Sequence, residues 1–215
     1  MIMHIYCFVI AYALFLSVCG SSQTKLWQLH ELLNTTERIW VLSRTKELNY
    51  QNQPESCVYY KTHNLSEHHV TLLYEVISGG TAYGFNLPAV LYMKGNKATM
   101  RVHEWQRDAP ASPEGRMVVE LQEVTGVKTE MALEYWNRHS HCGIFTMNRN
   151  GKTECEIHVW DSPLRSQYSQ RLSYTGCDDK FQEICNGRTQ IFTFHSNCEN
   201  NVLVKTDRVK ATLSS

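Results

Sequence analysis

From Ile39 to Trp160 the chain alternates apolar and polar residues in short runs rich in branched and aromatic side chains, the pattern of half-buried strands. Nine such runs are predicted: Ile39 to Ser43, Cys57 to Thr62, Val70 to Ile77, Val90 to Met93, Ala98 to Trp105, Met117 to Val124, Met131 to Trp136, Ile144 to Asn148 and Glu154 to Trp160. Turn-forming residues separate them at Ser78-Gly79-Gly80, Lys94-Gly95-Asn96-Lys97, Pro110 to Gly115, Thr125-Gly126 and Asn150-Gly151. The Asn-Gly pair between the last two runs is the clearest hairpin signal. Before the first strand, Leu26, Leu29, Leu32 and Leu33 share one face of a helix expected over Lys25 to Leu33, ended by Asn34-Thr35-Thr36. A further helix is expected at Asp178 to Ile184, and alternation returns from Gln190 to His195. Consecutive hairpins at this spacing predict an all-β antiparallel up-and-down barrel or a sandwich.

The first twenty residues follow another pattern. Ile5 to Val18 is an apolar run of signal-peptide length, and Val18-Cys19-Gly20 offers a cleavage point before Ser21. The run is too short to span a bilayer, and no later stretch is long and apolar enough to do so. Residues 1–20 are therefore expected to be a leader and 21–215 a single exported binding domain, with no membrane partner. Of the eight cysteines, Cys7 and Cys19 leave with the leader. Cys57, Cys142, Cys155, Cys177, Cys185 and Cys198 remain, an even set that reads as a disulfide framework in an oxidising compartment and points to a monomer. One early cysteine with late partners suits a chain that returns to where it began. Asn34-Thr35-Thr36 and Asn64-Leu65-Ser66 are sequons, expected to carry glycans at Asn34 and Asn64.

Charge removes one class of partner. Lys plus Arg number 21 and Asp plus Glu number 21, so no basic excess marks a nucleic-acid face. Catalytic motifs are missing too. There is no G-x-S-x-G, no phosphate-cradling glycine loop and no C-x-x-C. His30-Glu31 and His103-Glu104 open like zinc-protease helices, but Asn34 and Arg107 stand where a second imidazole is needed. His139-x-His141-Cys142 and His68-His69 are poor metal sites, because Cys142 is expected to be oxidised and surface histidines are common. The expectation is a binding protein without enzyme activity, metal or cofactor.

The stretch Cys155-Glu156-Ile157-His158-Val159-Trp160 carries most of the candidate chemistry. On a strand, Glu156, His158 and Trp160 share one face, while Cys155, Ile157 and Val159 take the other. If the Glu156 face turns into a barrel, the lumen gains a carboxylate, an imidazole and an indole, chemistry suited to a cationic or amphipathic guest. Otherwise Glu156 and His158 form an exposed ladder and only Trp160 packs. Tyr74, Met100, Trp40 and Trp136 are further candidate lining residues, each also accounted for as plain core. A protonated His158 would oppose an ammonium guest as pH falls.

The N-terminal helix with Trp27, the lone Cys57, the strand Cys155-Glu156-Ile157-His158, the segment Cys177-x-x-x-Phe181 and the late Cys198 together resemble the tick salivary lipocalins, or histamine-binding proteins. The resemblance spans the exported chain. It implies an eight-stranded barrel closed at one end, with helices at both chain ends packed outside. It implies secretion into a host and sequestration of histamine, serotonin or a lipid mediator such as a leukotriene, to evade host defence. Some members instead bind host proteins, including complement. The resemblance further implies the pairs Cys57 with Cys198, Cys142 with Cys177 and Cys155 with Cys185. For the amine site it matches Glu156 to the family's acid, puts His158 where an indole is expected and Trp160 one pleat further on. It aligns Glu47 and Tyr50 only loosely with a second acid and aromatic.

Overall fold

The computed structural model describes residues 23–103, 128–149, 151–169, 174–195 and 197–198. The leader, Pro110 to Gly115, Met117 to Val124 and Thr125-Gly126 lie outside these residues. Helix α1 (Leu26–Leu33) is followed by strands β1 (Ile39–Arg44), β2 (Asn49–Tyr50), β3 (Gln53–His63), β4 (His69–Ser78), β5 (Thr81–Lys94), β6 (Lys97–His103), β7 (Lys128–Asn137), β8 (Cys142–Arg149) and β9 (Lys152–Trp160). Helices α2 (Asp161–Ser169) and α3 (Asp178–Ile184) and the short strand β10 (Ile191–Phe192) complete the order.

Every adjacent pair is antiparallel, in the order β10-β1-β9-β8-β7-β6-β5-β4-β3-β2, and a further pairing of Ile39 with Tyr60 and Trp40 with Tyr59 joins β1 to β3. That pairing closes β1 and β3 to β9 into an eight-stranded antiparallel barrel. The expected barrel is thus the observed architecture, and the sandwich is excluded. Closure leaves the barrel itself no open edge. Glycines make the tight hairpins where the backbone must turn left-handed: Gly95 has φ +62° between β5 and β6, and Gly151 has φ +75° before β9.

Two apolar layers divide the side chains by strand parity. The inner layer holds Ile39, Tyr60, Leu72, Leu91, Met100, Leu133 and Phe145, and α1 plugs one end of it with Leu29, Leu32 and Leu33, all fully buried. Lys25 N–H donates to Gln28 Oε1 at 2.8 Å to start α1. At the other end of the helix its Leu33 carbonyl accepts from Thr62 Oγ1 at 2.8 Å, and its Leu32 carbonyl from Trp160 Nε1 at 2.9 Å. The outer layer, beneath α2, α3 and the segment that follows, holds Trp40, Leu42, Tyr59, Leu164, Phe181, Phe194 and all six cysteines.

The disulfides are Cys57–Cys198, Cys142–Cys177 and Cys155–Cys185, the pairs that the family resemblance implies. Each ties a barrel strand to the C-terminal segment, so helices with little apolar surface of their own are held on the barrel. No helix among the described residues is long and apolar enough to cross a membrane. Asn34, at the end of α1, and Asn64, in the β3–β4 turn, are both exposed.

Gly143 shows how closely α1 seats. A methyl group there would collide with Cδ1 of the fully buried Leu32, so one of the two must shift. Gly143→Ala is expected to lift the helix and cost about 1–3 kcal/mol, read as a lower denaturant midpoint at unchanged slope.

Candidate functional site

Strand β9 alternates into the barrel with Glu154, Glu156, His158 and Trp160, leaving Cys155, Ile157 and Val159 in the outer layer. Of the two arrangements open from the sequence, the inward one is observed: Glu156 is 7% and His158 2% exposed. On β1 the register shifts between Val41 and Ser43, which sets Arg44 opposite Glu156. A similar shift on β3 between Ser56 and Tyr59 accompanies a left-handed Cys57, φ +50°. Val58 and Tyr60 consequently belong to the inner clusters, while Tyr59 packs outside against Trp40.

These parities assemble a buried polar chain. Glu55 Oε2 accepts from Arg44 NH1 at 2.8 Å, and Arg44 Nε lies 3.6 Å from Glu156 Oε1. Glu156 Oε2 is 3.0 Å from His158 Nε2, and His158 Nδ1 is 2.9 Å from the Tyr60 hydroxyl. Phe145 and Tyr60 flank the imidazole with ring centroids 4.7 and 5.6 Å away. Burial alone would push the Glu156 carboxyl upward, but the Arg44 charge and the His158 hydrogen bond outweigh it and hold the group at about 2. Burial likewise disfavours the Arg44 cation, yet Glu156, Tyr74 and Glu55 raise its pKa above the ordinary guanidinium value. The Tyr60 phenol is pushed well above 10 by burial and by the nearby Glu156 charge, so it stays neutral. The pairs remain incomplete: Arg44 Nε and NH2 make no hydrogen bond despite full burial, and Arg44 Nε at 3.6 Å is too distant to be a hydrogen-bond donor to Glu156 Oε1.

Each carboxylate of this region has a cation beside it: Arg44 lies between Glu55 and Glu156, and Lys46 and Arg149 both reach Glu154.

A cavity opens beside this chain. It is walled by Val41, Leu72, Leu87, Met100, Val102 and Met131, with Tyr60, Tyr74, Arg149, Glu156 and His158 supplying polar groups. Its unfilled volume, mouth included, is about 460 Å³, and the part reached by the centre of a water molecule is about 40 Å³. The larger figure includes open solvent, and the smaller is room for roughly three waters. Admitting a ring-sized guest would require wall side chains to move, and Met100 and Met131 are the most adaptable of the apolar ones.

The sequence candidates separate cleanly. Glu156, His158, Tyr74 and Met100 meet at the cavity. Trp160 stacks on His141 at 4.4 Å and approaches Trp136 at 5.9 Å near the plugged end, where Trp136 Nε1 donates to Glu31 Oε2 at 2.9 Å. Neither indole lines the cavity. Trp40 points outward and donates from Nε1 to Asp161 Oδ1 at 2.6 Å, because its neighbours Ile39 and Val41 take the inner face. Glu47 is exposed in the loop after β1. Tyr50 is buried edge-on against Tyr83 at 4.6 Å and Phe85 at 5.7 Å, away from Glu156. Arg44, Glu55, Tyr60 and Arg149 were not anticipated. Among the described residues the one group of possible metal ligands is Cys57, His195 and Cys198, and its two sulfurs are already bonded to each other.

The Glu156 shift has a consequence for acid stability. A carboxyl whose folded pKa lies below the ordinary 4.5 contributes stability that is complete above that value and lost as pH falls toward about 2. The denaturant midpoint is expected to drop across this window, and less steeply in Glu156→Gln.

No protein-family model matches the chain, and no curated protein matches its sequence. Solved structures align over most of it, two of them as follows. A serotonin complex of AM182 is 18% identical with a TM-score of 0.49, covering 83% of this chain and 94% of that one. Apocrustacyanin C2 is 11% identical with a TM-score of 0.45, covering 85% and 93%. At these values neither likeness bears on what this chain binds.

Proposed function

We propose that this chain is a secreted, glycosylated barrel of the tick salivary lipocalin type that sequesters a small host amine, with Glu156 as its anchor. The observation that carries the reading is a carboxylate held ionised on the cavity wall, whose Oε1 has its nearest cation, Arg44 Nε, at 3.6 Å, beyond hydrogen-bond distance. An ammonium group would donate the charge-assisted hydrogen bond that this separation leaves unmade. Val41, Leu87, Met100 and Met131 take the carbon frame of the guest. The small volume favours a monoamine over a long-chain lipid mediator. Tyr60, held neutral on the cavity wall, serves there as a hydrogen-bonding group. Three disulfides suit an extracellular setting and a monomer.

Isothermal titration with histamine, serotonin and a leukotriene tests the reading. Saturable one-to-one heat with an amine is expected, and flat traces for both amines would remove it. Recovery of a stoichiometric host protein from plasma, with flat amine traces, would establish the competing role of the loops as an inhibitory surface.

A further inference from the structure

The hydrogen-bond chain running from Glu156 to Tyr60 fixes more than the anchor. Glu156 is an ionised carboxylate and can only accept, so His158 Nε2, 3.0 Å away, must carry a proton. In the neutral imidazole Nδ1 is then a lone pair, and the Tyr60 hydroxyl 2.9 Å away must be its donor. The single phenolic proton is committed to that bond. What Tyr60 turns toward the cavity, which it lines, is therefore only oxygen lone pairs.

We infer that Tyr60 is the specificity-determining residue of the cavity, an acceptor whose polarity is set by His158, and that the barrel selects guests carrying a second N–H or O–H donor besides the ammonium. The inference rests on the amine reading of the site and names which amines it favours. Glu156 and Tyr60 lie on opposite sides of the imidazole and both accept, so a guest with a donor at each end satisfies both. A guest with an ether or other acceptor at its second end meets lone pair against lone pair inside an apolar enclosure, where an unmade hydrogen bond costs most. His158 is a positioning residue in this scheme.

Two measurements test this. Nitrogen-15 NMR of histidine-labelled protein without guest is expected to show His158 at neutral pH with Nε2 protonated and Nδ1 bare; a protonated Nδ1 there overturns the assignment whatever the cavity binds. Titration calorimetry then compares serotonin with its O-methyl ether and histamine with its ring-N-methyl derivative. The wild type is expected to bind the donor member about tenfold more tightly in at least one pair, the worth of one hydrogen bond. Tyr60→Phe should bring that pair level. Equal affinities in both pairs, or a preference that survives in Tyr60→Phe, would contradict the proposal. If Tyr60→Phe does not fold, the wild-type pairs and the nitrogen shifts decide. If no amine binds, the function proposed above fails and the selectivity fails with it, while the nitrogen shifts still judge the Tyr60 assignment separately.

Discussion

Glu156→Gln is expected to lower the affinity for a protonated monoamine about 100-fold, close to 2.7 kcal/mol, while a neutral guest of the same shape changes by less than about twofold. The substitution keeps the side chain's volume and an oxygen for His158 Nε2, so the cavity wall is preserved. What it removes is the charge. In water such a charge is worth little, but Glu156 is 7% exposed on the wall of a cavity, where water screens the carboxylate poorly. Equal loss for charged and neutral guests would show that the residue shapes the wall and does not hold an ammonium. Parallel titrations of the two variants against one amine and one uncharged isostere separate these outcomes.

Arg44→Leu should have the largest effect on stability, about 3–5 kcal/mol, because it removes the cation that lies between two buried carboxylates. Glu55 is wholly buried and Glu156 nearly so, and neither can recover its hydration. Without Arg44, burial opposes the ionised form of Glu156 with less to offset it, so the pH dependence shifts toward greater stability on acidification. The wild type loses stability as pH falls toward 2, whereas the variant should gain relative to the wild type on acidification. Adding Glu55→Leu to Arg44→Leu should restore part of the loss, since the pair is then replaced by apolar volume. Denaturant melts of both single variants, the double and the wild type at neutral and acid pH would measure the coupling. A loss below about 1 kcal/mol for Arg44→Leu would mean that water reaches the pair.

The architecture was written plainly along the chain, and the polar chain inside it was not. Period-two runs mark seven of the eight barrel strands close to their observed positions, because a barrel with an apolar interior needs that alternation on every strand. β5 was read only as Val90 to Met93, since Gly84 and Pro88 interrupt the pattern over Thr81–Ala89 that in fact pairs with β4 throughout. α2 was missed because Asp161–Ser169 buries Leu164 alone among its described side chains and is held by docking more than by its own periodicity. Helix α1 was legible from four leucines at helical spacing.

Inside the barrel, Glu156 and His158 could be read as a same-face pair two residues apart. Arg44 could not. Alone at the end of a strand it reads as a solvated tip, and its partners lie 11 and 112 positions away, joined only by barrel closure. Tyr59 and Tyr60 are indistinguishable in sequence, and which one faces inward is decided by a register shift that leaves no compositional mark. The same parity sends Trp40 outward. Tryptophan is a natural candidate for a cavity wall, but here all three expected indoles serve packing: Trp40 under α2, and Trp136 with Trp160 at the plugged end.

A crystal structure of the protein with serotonin or histamine bound would test the central claim most directly. The account places the guest's ammonium nitrogen within hydrogen-bond distance of Glu156 Oε1, about 3 Å, with its ring between Met100 and Met131. An amine held outside the barrel, or inside it with its nitrogen turned away from Glu156, would contradict the account.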